Sequence, residues 1–584
     1  MASYDLIIRN GTIVDGTGAP RFTGDVAVKD GLIAAVGAVH GSAAREIDAA
    51  GKIVAPGWVD VHTHYDGQAT WDQEMAPSSW HGVTTVVMGN CGVGFAPAAP
   101  DRHEWLIGLM EGVEDIPGTA LAEGMKWNWE TFPEYLDALE ALPRTVDVGT
   151  HVPHGAVRAY VLGDREQPGA IPTADDIKKM ADIVEDGVRA GALGFSTSRT
   201  VLHRSIDGEL VPGTTATEEE LVEIGRAMGR VGYGVFEMAS DLRREWNEFG
   251  WMGQISRETG LPVTFAALQS IAKEQPLDEQ IANMRAENDN GANIVAQIAL
   301  RGNGIIMAWQ GTVHPFRLRP SWQAIADLPW DQQKAKLLDP AFKAQLLSEA
   351  SDYSQVPEDI IGISMVVSGG WTMQFEMDPD FDYEPQADAS IAARAAAAGV
   401  SGDEYAYDLL CRDDGKGFIY LPILNYADGN LDFLEALQQS DDTVNSLSDG
   451  GAHCGTICDA ASPTFMLQHW VRDRKRGGRI SLENAVKRQC RDTARLYGLN
   501  DRGILAPGYL ADINVIDLDK VKLGKPWLAF DLPAGGKRLL QKAEGYVCTI
   551  KTGVVTFEDG KWTGATPGGL IRGPQQVEML EAAE

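Results

Sequence analysis

Three apolar runs in this chain end alike, with a metal-ligating side chain where hydrophobic residues give way to a polar or glycine-rich turn. The run Ile53-Val54-Ala55-Pro56-Gly57-Trp58-Val59 leads into His62-Thr63-His64, the run at 84–88 into Gly89-Asn90-Cys91-Gly92, and the run at 444–447 into Ser448-Asp449-Gly450-Gly451. Side chains alternate faces along an extended strand, so His62 and His64 point the same way. Repetition at such distant positions demands a fold that gathers many strand ends in one place. The mouth of a parallel barrel does this.

The region between these motifs supports a barrel. Apolar runs at 145–152, 193–198, 234–239 and 263–268 alternate with helical patterns: one after Thr173, one opened by the capping box of Thr217 and Glu220, and one from Arg243. Runs at 293–300, 418–424 and 444–447 are further candidate strands. The first 55 residues read differently, as short strands at 5–9, 12–14, 25–29, 32–36 and 52–55. They are separated by the turn dipeptides Asn10-Gly11, Asp15-Gly16 and Asp30-Gly31. That texture returns at 510–517, 545–551 and 554–558, with turns at Thr552-Gly553 and Asp559-Gly560.

The expected fold class is therefore α/β: a (β/α)8 barrel over 56–500, with a small β-sandwich built from both chain ends, 1–55 and 501–584. A segment near 303–417, rich in helix formers and tryptophan and containing the alanine-rich stretch 387–398, breaks the alternation. It reads as an insertion at the barrel mouth, either covering substrate or elaborating the surface. Residues 568–584 read either as an arm reaching a second subunit of a homo-oligomer or as a surface segment.

A chain of 584 residues exceeds what one core usually holds. Its net charge of −33 repels phosphate backbones and anionic lipid, so neither a nucleic acid nor a membrane is an expected partner. It also means that an anionic substrate needs a local basic pocket. No apolar stretch approaches the roughly 18 residues of a membrane span. The start lacks the pattern of a secretory signal, and six scattered cysteines form no disulfide framework. A reducing, cytoplasmic compartment is the expectation.

The residues resemble a known family. The start from Asp5 to Gly16, the segment from Ala55 to His64 and the close Leu505-Ala506-Pro507-Gly508-Tyr509-Leu510-Ala511-Asp512 are similar to the amidohydrolase superfamily. Within it, His64-Tyr65-Asp66-Gly67-Gln68, Gly89-Asn90-Cys91-Gly92 and the segment from Gly191 to Thr197 resemble the D-aminoacylases, the N-acyl-D-amino-acid deacylases. The resemblance implies a zinc-dependent barrel that hydrolyses an amide bond, with His62, His64, Cys91 and Asp449 at the metal. It also implies histidines at the ends of the fifth and sixth strands. Here those runs read Phe236-Glu237-Met238-Ala239 and Phe265-Ala266-Ala267-Leu268-Gln269. Glu237 is a candidate replacement for the first, since carboxylates bind zinc; nothing replaces the second. One zinc ion per chain is therefore expected.

Each candidate has a plainer reading beside the functional one. Histidines can be buried and satisfied by backbone, Cys91 can be a small apolar residue, Asp449 a turn aspartate, and Glu237 half of a salt bridge. His154, after the third run, reads either as a substrate-binding residue or as a structural hydrogen-bonder; His81 reads as structural. Arg158, Arg199 and Arg204 are candidates to hold a substrate carboxylate. The expected activity is hydrolysis of a small-molecule amide, an N-acyl-D-amino acid, by metal-activated water with Asp449 as general base and acid. The alternatives are a cyclic-imide or aryl-amide hydrolase without D-specificity, and a barrel scaffold that has lost its metal.

Overall fold

The structure, a computed structural model, describes residues 3–270 and 275–577. Eight strands form one parallel sheet in chain order: Trp58–Asp60, Val83–Met88, Asp147–Pro153, Gly194–Arg199, Val235–Ser240, Val263–Ala266, Ile294–Ile298 and Thr443–Asn445. Its two edges meet just past the first and last strands. There Thr63 bridges Gly450, the His64 N–H donates to the Gly450 carbonyl at 2.8 Å, and the Asp449 N–H donates to the His62 carbonyl at 3.2 Å. A sheet curled in this way fits a (β/α)8 barrel. Most of its strands are buried at every position, as parallel strands covered on both faces must be.

Helices Ala174–Ala190, Glu218–Val231, Glu248–Thr259 and Leu277–Asp289 follow the third to sixth strands. Thr173 and Asp176 form a reciprocal capping box. Thr217 accepts the Glu220 N–H, but Glu220 does not return the bond, because its carboxylate is held by Arg158 and His154. The helix expected from Arg243 begins later, at Glu248. A short turn over Arg244–Trp246 and left-handed Asn247 (φ 47°) leave Arg243 in the loop after the fifth strand.

A nine-stranded sheet joins the chain ends. Strand Ile53–Pro56 pairs antiparallel with Ile513–Ile516, and Leu6, Ile8, Val26, Ile513, Val515 and Ile550 pack together against it. Asp30-Gly31, Thr552-Gly553 and Asp559-Gly560 have positive φ throughout and close hairpins between paired strands. Asn10-Gly11 is not a turn. It lies inside the single strand Tyr4–Ile13, where the register shifts between Ile8 and Gly11, so the left-handed Asn10 makes a bulge.

The run at 418–424 does not enter the barrel. Ile419–Leu424 is the central, antiparallel strand of a three-stranded sheet with Asn303–Met307 and Phe375–Glu376, and Pro422, which has no N–H to give, faces Gly304 at a register shift. The insertion has its own core of Trp309, Phe316, Trp322, Tyr407 and Leu410, and its alanine-rich helix runs Ile391–Ala398 after Ser390 caps it. Residues 568–575 of the tail lie along their own barrel, where Gly569 and Ile571 bond to Val148, Gly573 to Gly191 and Gln575 to Gly498. Residues 578–584 lie outside the described residues. Among the described residues no helix is long and apolar enough to cross a membrane.

Candidate active site

The sequence places two histidines at the end of a buried strand, a cysteine after a second strand and an aspartate after the eighth. The closed sheet brings them together. Ligand atoms of His62, His64 and Cys91 all lie within 4.8 Å of one another, and all three side chains are buried. His62 Nε2 is 3.3 Å from Cys91 Sγ. Asp449 Oδ1 lies 3.4 Å from His62 Nε2 and 3.7 Å from His64 Nε2 without joining that three-membered cluster. Zinc bonds of about 2.0–2.3 Å in a tetrahedron imply ligand–ligand edges of roughly 3.3–3.7 Å. The distances around His62 have that length.

The backbone is bent to achieve this. Cys91 (φ 55°) and Asp449 (φ 48°) are both left-handed, a conformation uncommon for residues other than glycine. Gly92 (φ 68°) packs so tightly that an added Cβ would lie 2.7 Å from Ser198 N and 2.9 Å from Thr197 Cα. The His62 ring is oriented from behind: its Nδ1 is 2.7 Å from Gln297 Oε1, and Gln297 is itself held by Ser446 and Thr264. With Nδ1 donating to that amide oxygen, Nε2 is left as a lone-pair donor toward Cys91 and Asp449. Ser448 similarly donates to Asp60 beneath the cluster.

The electrostatics call for a cation. Burial pushes the Cys91 thiol well above its usual pKa, and Glu237, Glu114 and Asp449 push it the same way. Burial likewise raises Glu114 far above the carboxylate range and lifts Glu237 to about 7 against the pull of His62. Burial lowers His64 to about 4. Asp449 moves the other way: burial opposes its charge, but the His64 hydrogen bond and the two imidazoles outweigh that and hold it well below the carboxylate range. Both carboxylate oxygens of Glu114 and Oε1 of Glu237 are buried with no hydrogen-bond partner. An unsatisfied buried acceptor costs about 1–3 kcal/mol, and more when charged. A divalent cation among these groups would lower the thiol's pKa and compensate the buried acids. The residues present therefore fit a metal held by His62, His64 and Cys91.

Glu237 stands behind the donor cluster. Its Oε2 accepts the Cys91 N–H at 2.9 Å, and its Oε1 is 3.9 Å from His62 Nδ1. His154 is buried away from the cavity with both ring nitrogens engaged, Nδ1 by Thr197 Oγ1 and Nε2 by Glu220 Oε1, each at 2.9 Å. That geometry corrects the substrate-binding reading: His154 positions structure and has no free nitrogen to offer. His81 is also structural, held by Thr464 and Gln541. Arg158 is consumed by Glu220 and Glu166, and Arg199 by Glu248; neither they nor Arg204 line the cavity.

The cavity over the cluster has a volume of about 810 Å³. Sequence reasoning missed several of its residues. Glu114 ends a helix remote from any strand motif and places Oε1 3.2 Å from His64 Nδ1, while His453 Nε2 lies 3.6 Å from Glu114 Oε2. His203 is not such an omission: its segment reads in sequence as a loop able to lie over the site, with no chemistry assignable, and it lines the cavity with Nδ1 held 2.9 Å from Ser198 Oγ. Arg243 is the only arginine or lysine among the described lining residues. Only His453, four residues past Asp449 in Asp-Gly-Gly-Ala-His, carried a local signal.

A closed parallel sheet with a histidine pair, a cysteine and an aspartate at its C-terminal rim defines a class. The chain belongs to the amidohydrolase family, whose profile matches residues 45–344 and 412–557. Within that family it is D-aminoacylase-like, a hydrolase acting on carbon–nitrogen bonds other than peptide bonds. It is 33% identical to an N-acyl-D-glutamate deacylase of Alcaligenes xylosoxydans xylosoxydans over 538 residues, 91% of each chain. A D-aminoacylase studied for its binuclear metal centre matches with a TM-score of 0.63 at 24% identity, over 97% of this chain and 100% of that one. The zinc- and phosphonate-bound N-acyl-D-glutamate deacylase of Bordetella bronchiseptica matches with a TM-score of 0.61 at 22% identity, over 99% and 100%.

Proposed function

We propose that the protein is a zinc-dependent deacylase of N-acyl-D-amino acids that works with one metal ion. The convergence of His62, His64 and Cys91, with Asp449 Oδ1 standing by the two imidazoles but outside the donor cluster, carries this reading. When bound there, zinc supplies a Lewis acid that makes water acidic near neutral pH. Asp449, kept ionised by its histidines, takes a proton from water at Oδ1 and returns it to the departing amine. Gln297 holds the His62 ring, and Glu237 holds the Cys91 backbone rather than a second metal. One ion also agrees with the similar D-aminoacylase, in which one metal activates and a second attenuates.

A screen of chirally paired N-acyl amino acids, with metal measured on the same sample, tests this. Turnover of D-substrates at about one zinc per chain is expected. Equal turnover of L-substrates, or full activity after metal removal, would sink it. Glu237 and Ala266-Ala267 standing where histidines were expected favour a second reading, hydrolysis of cyclic imides or aryl amides, so hydantoins and anilides belong in the same screen.

A further inference from the structure

The catalytic cavity has two unlike regions. One is charged: among its described lining residues, Arg243 is the sole arginine or lysine, whereas Glu114, Asp241, Asp449 and Asp459 are acidic, the last already paired with Arg301. Arg243 pairs with no carboxylate among the described residues, and its guanidinium rests 5.1 Å from the Trp246 ring. Asp241 is already engaged by Thr200 Oγ1 and the Val201 N–H. In a chain of net charge −33, an arginine without a carboxylate partner in the cavity that the metal cluster lines is a place for one anionic group.

The other region is apolar and comes largely from the insertion. Ile305 and Ile423 stand on its small sheet; Ile363 and Val366 come from helix Ile361–Gly369, with Met373 just beyond. On that helix only Val367 and Ser368 are buried, and Met365 is 56% exposed. An apolar helix left open beside a cavity gains by covering with apolar surface, since burial is worth roughly 25 cal/mol per Å². The match to the family breaks between residues 345 and 411, and this helix lies inside the break. The wall therefore stands in a segment that the family profile does not describe.

We infer that the cavity selects a substrate with a single carboxylate, bound by Arg243, and a bulky apolar group, bound by the Ile363–Val366–Met373 wall, and that it disfavours a second carboxylate. The inference rests on the deacylase reading and deepens it. It separates this chain from its N-acyl-D-glutamate deacylase relative, since a glutamate side chain would meet Glu114, Asp241 or apolar residues. The apolar group can be the acyl chain or the amino-acid side chain; both present hydrocarbon next to the amide.

The test uses the zinc-loaded full chain. Turnover and calorimetric binding are measured for N-acetyl-D-leucine, N-octanoyl-D-leucine, N-octanoyl-D-alanine, N-acetyl-D-glutamate and the carboxamide of N-octanoyl-D-leucine. Each buried methylene should gain about threefold to fourfold in affinity, and comparing the octanoyl and leucyl arms shows which group meets the wall. N-acetyl-D-glutamate should bind at least tenfold more weakly than N-octanoyl-D-leucine. Arg243→Ala should raise KM for the carboxylates about 10- to 100-fold, leave kcat within a few-fold and leave the carboxamide unaffected. Val366→Asn, at a partly exposed position, should erase the apolar gain of whichever arm meets the wall; a gain left intact in both arms would refute the wall's role.

Glutamate binding as tightly as octanoyl-leucine, or a carboxamide as sensitive to Arg243→Ala as the acid, overturns the inference while leaving deacylation standing. Binding in the expected order without turnover of any D-substrate does the reverse. Binding of none of them overturns both.

Discussion

Replacing Asp449 by asparagine isolates its proton chemistry from everything else it does. The substitution keeps side-chain size, and asparagine tolerates the left-handed backbone at φ 48° better than almost any other residue. One oxygen can still face the imidazoles 3.4 and 3.7 Å away. What disappears is a carboxylate that His62 and His64 hold ionised, among the described residues the only group that combines proximity to both rings with a depressed pKa. General acid–base help of this kind is worth on the order of 10²–10⁴ in rate, or about 2.7–5.5 kcal/mol at 1.36 kcal/mol per tenfold. Steady-state kcat on the best D-substrate should fall by that factor, with KM nearly constant, metal content at least half of the parent and a thermal midpoint within a few degrees. Asp449→Ala should lose as much activity and some stability besides, because alanine is strained at this φ. An Asn variant within tenfold of the parent would refute the assignment, since the proton would then be moving without the Asp449 carboxylate.

Cys91→Ala should leave the protein folded and reduce retained zinc well below one per chain after dialysis, read by elemental analysis; unchanged content would show that the thiolate is not a ligand. Gly92→Ala should act similarly without touching a donor, because its Cβ would press on the backbone of Thr197 and Ser198; a fully metallated, fully active variant would contradict that. Asp147 ties the barrel to the C-terminal strands through Lys551 at 2.8 Å and Arg502 at 2.7 Å. Burial opposes its charge, yet these two cations lower its pKa to about 2. A depressed acid stabilises the fold above its unfolded value near 3.9, and that contribution fades as pH falls from about 4 through 2. Urea midpoints should drop over that window, and Asp147→Asn should flatten this part of the profile and cost about 1–3 kcal/mol at pH 7, because Lys551 keeps Asp512 and Arg502 keeps Asp501.

The barrel was legible because its signal is a local period repeated many times: short apolar runs, helical patterns between them, and caps such as Thr173 and Thr217 at the expected starts. The strand at 418–424 looked the same as a barrel strand, because apolar runs carry no record of their partner. Only the antiparallel ladder to Asn303–Met307 decides it. Asn10-Gly11 misled for a related reason: a left-handed pair serves a hairpin or a bulge equally well, and pairing with Phe22–Lys29 across it makes it a bulge.

The candidate site divides along the same line. His62, His64, Cys91 and Asp449 sit at strand ends, so the fold fixes where they go once the strands are known. Arg199 ends the fourth strand and Arg158 lies in helix His154–Leu162 just past the third, yet each faces a glutamate, Glu248 or Glu220, that spends its charge. A cation's availability depends on partners that sequence proximity does not reveal. Arg243 is the converse. Its residue type and position suggested a helix start, and a left-handed Asn247 four residues later frees it into the cavity loop. Glu114 is set by the far end of a helix whose only link to the metal cluster is spatial, which is why the buried acid nearest His64 was invisible in the sequence. In this scaffold the strand ends carry the donors of the metal cluster. The loops and the insertion carry Arg243 and the Ile363–Val366 wall, so the groups that would choose between substrates are the ones that local pattern predicts least.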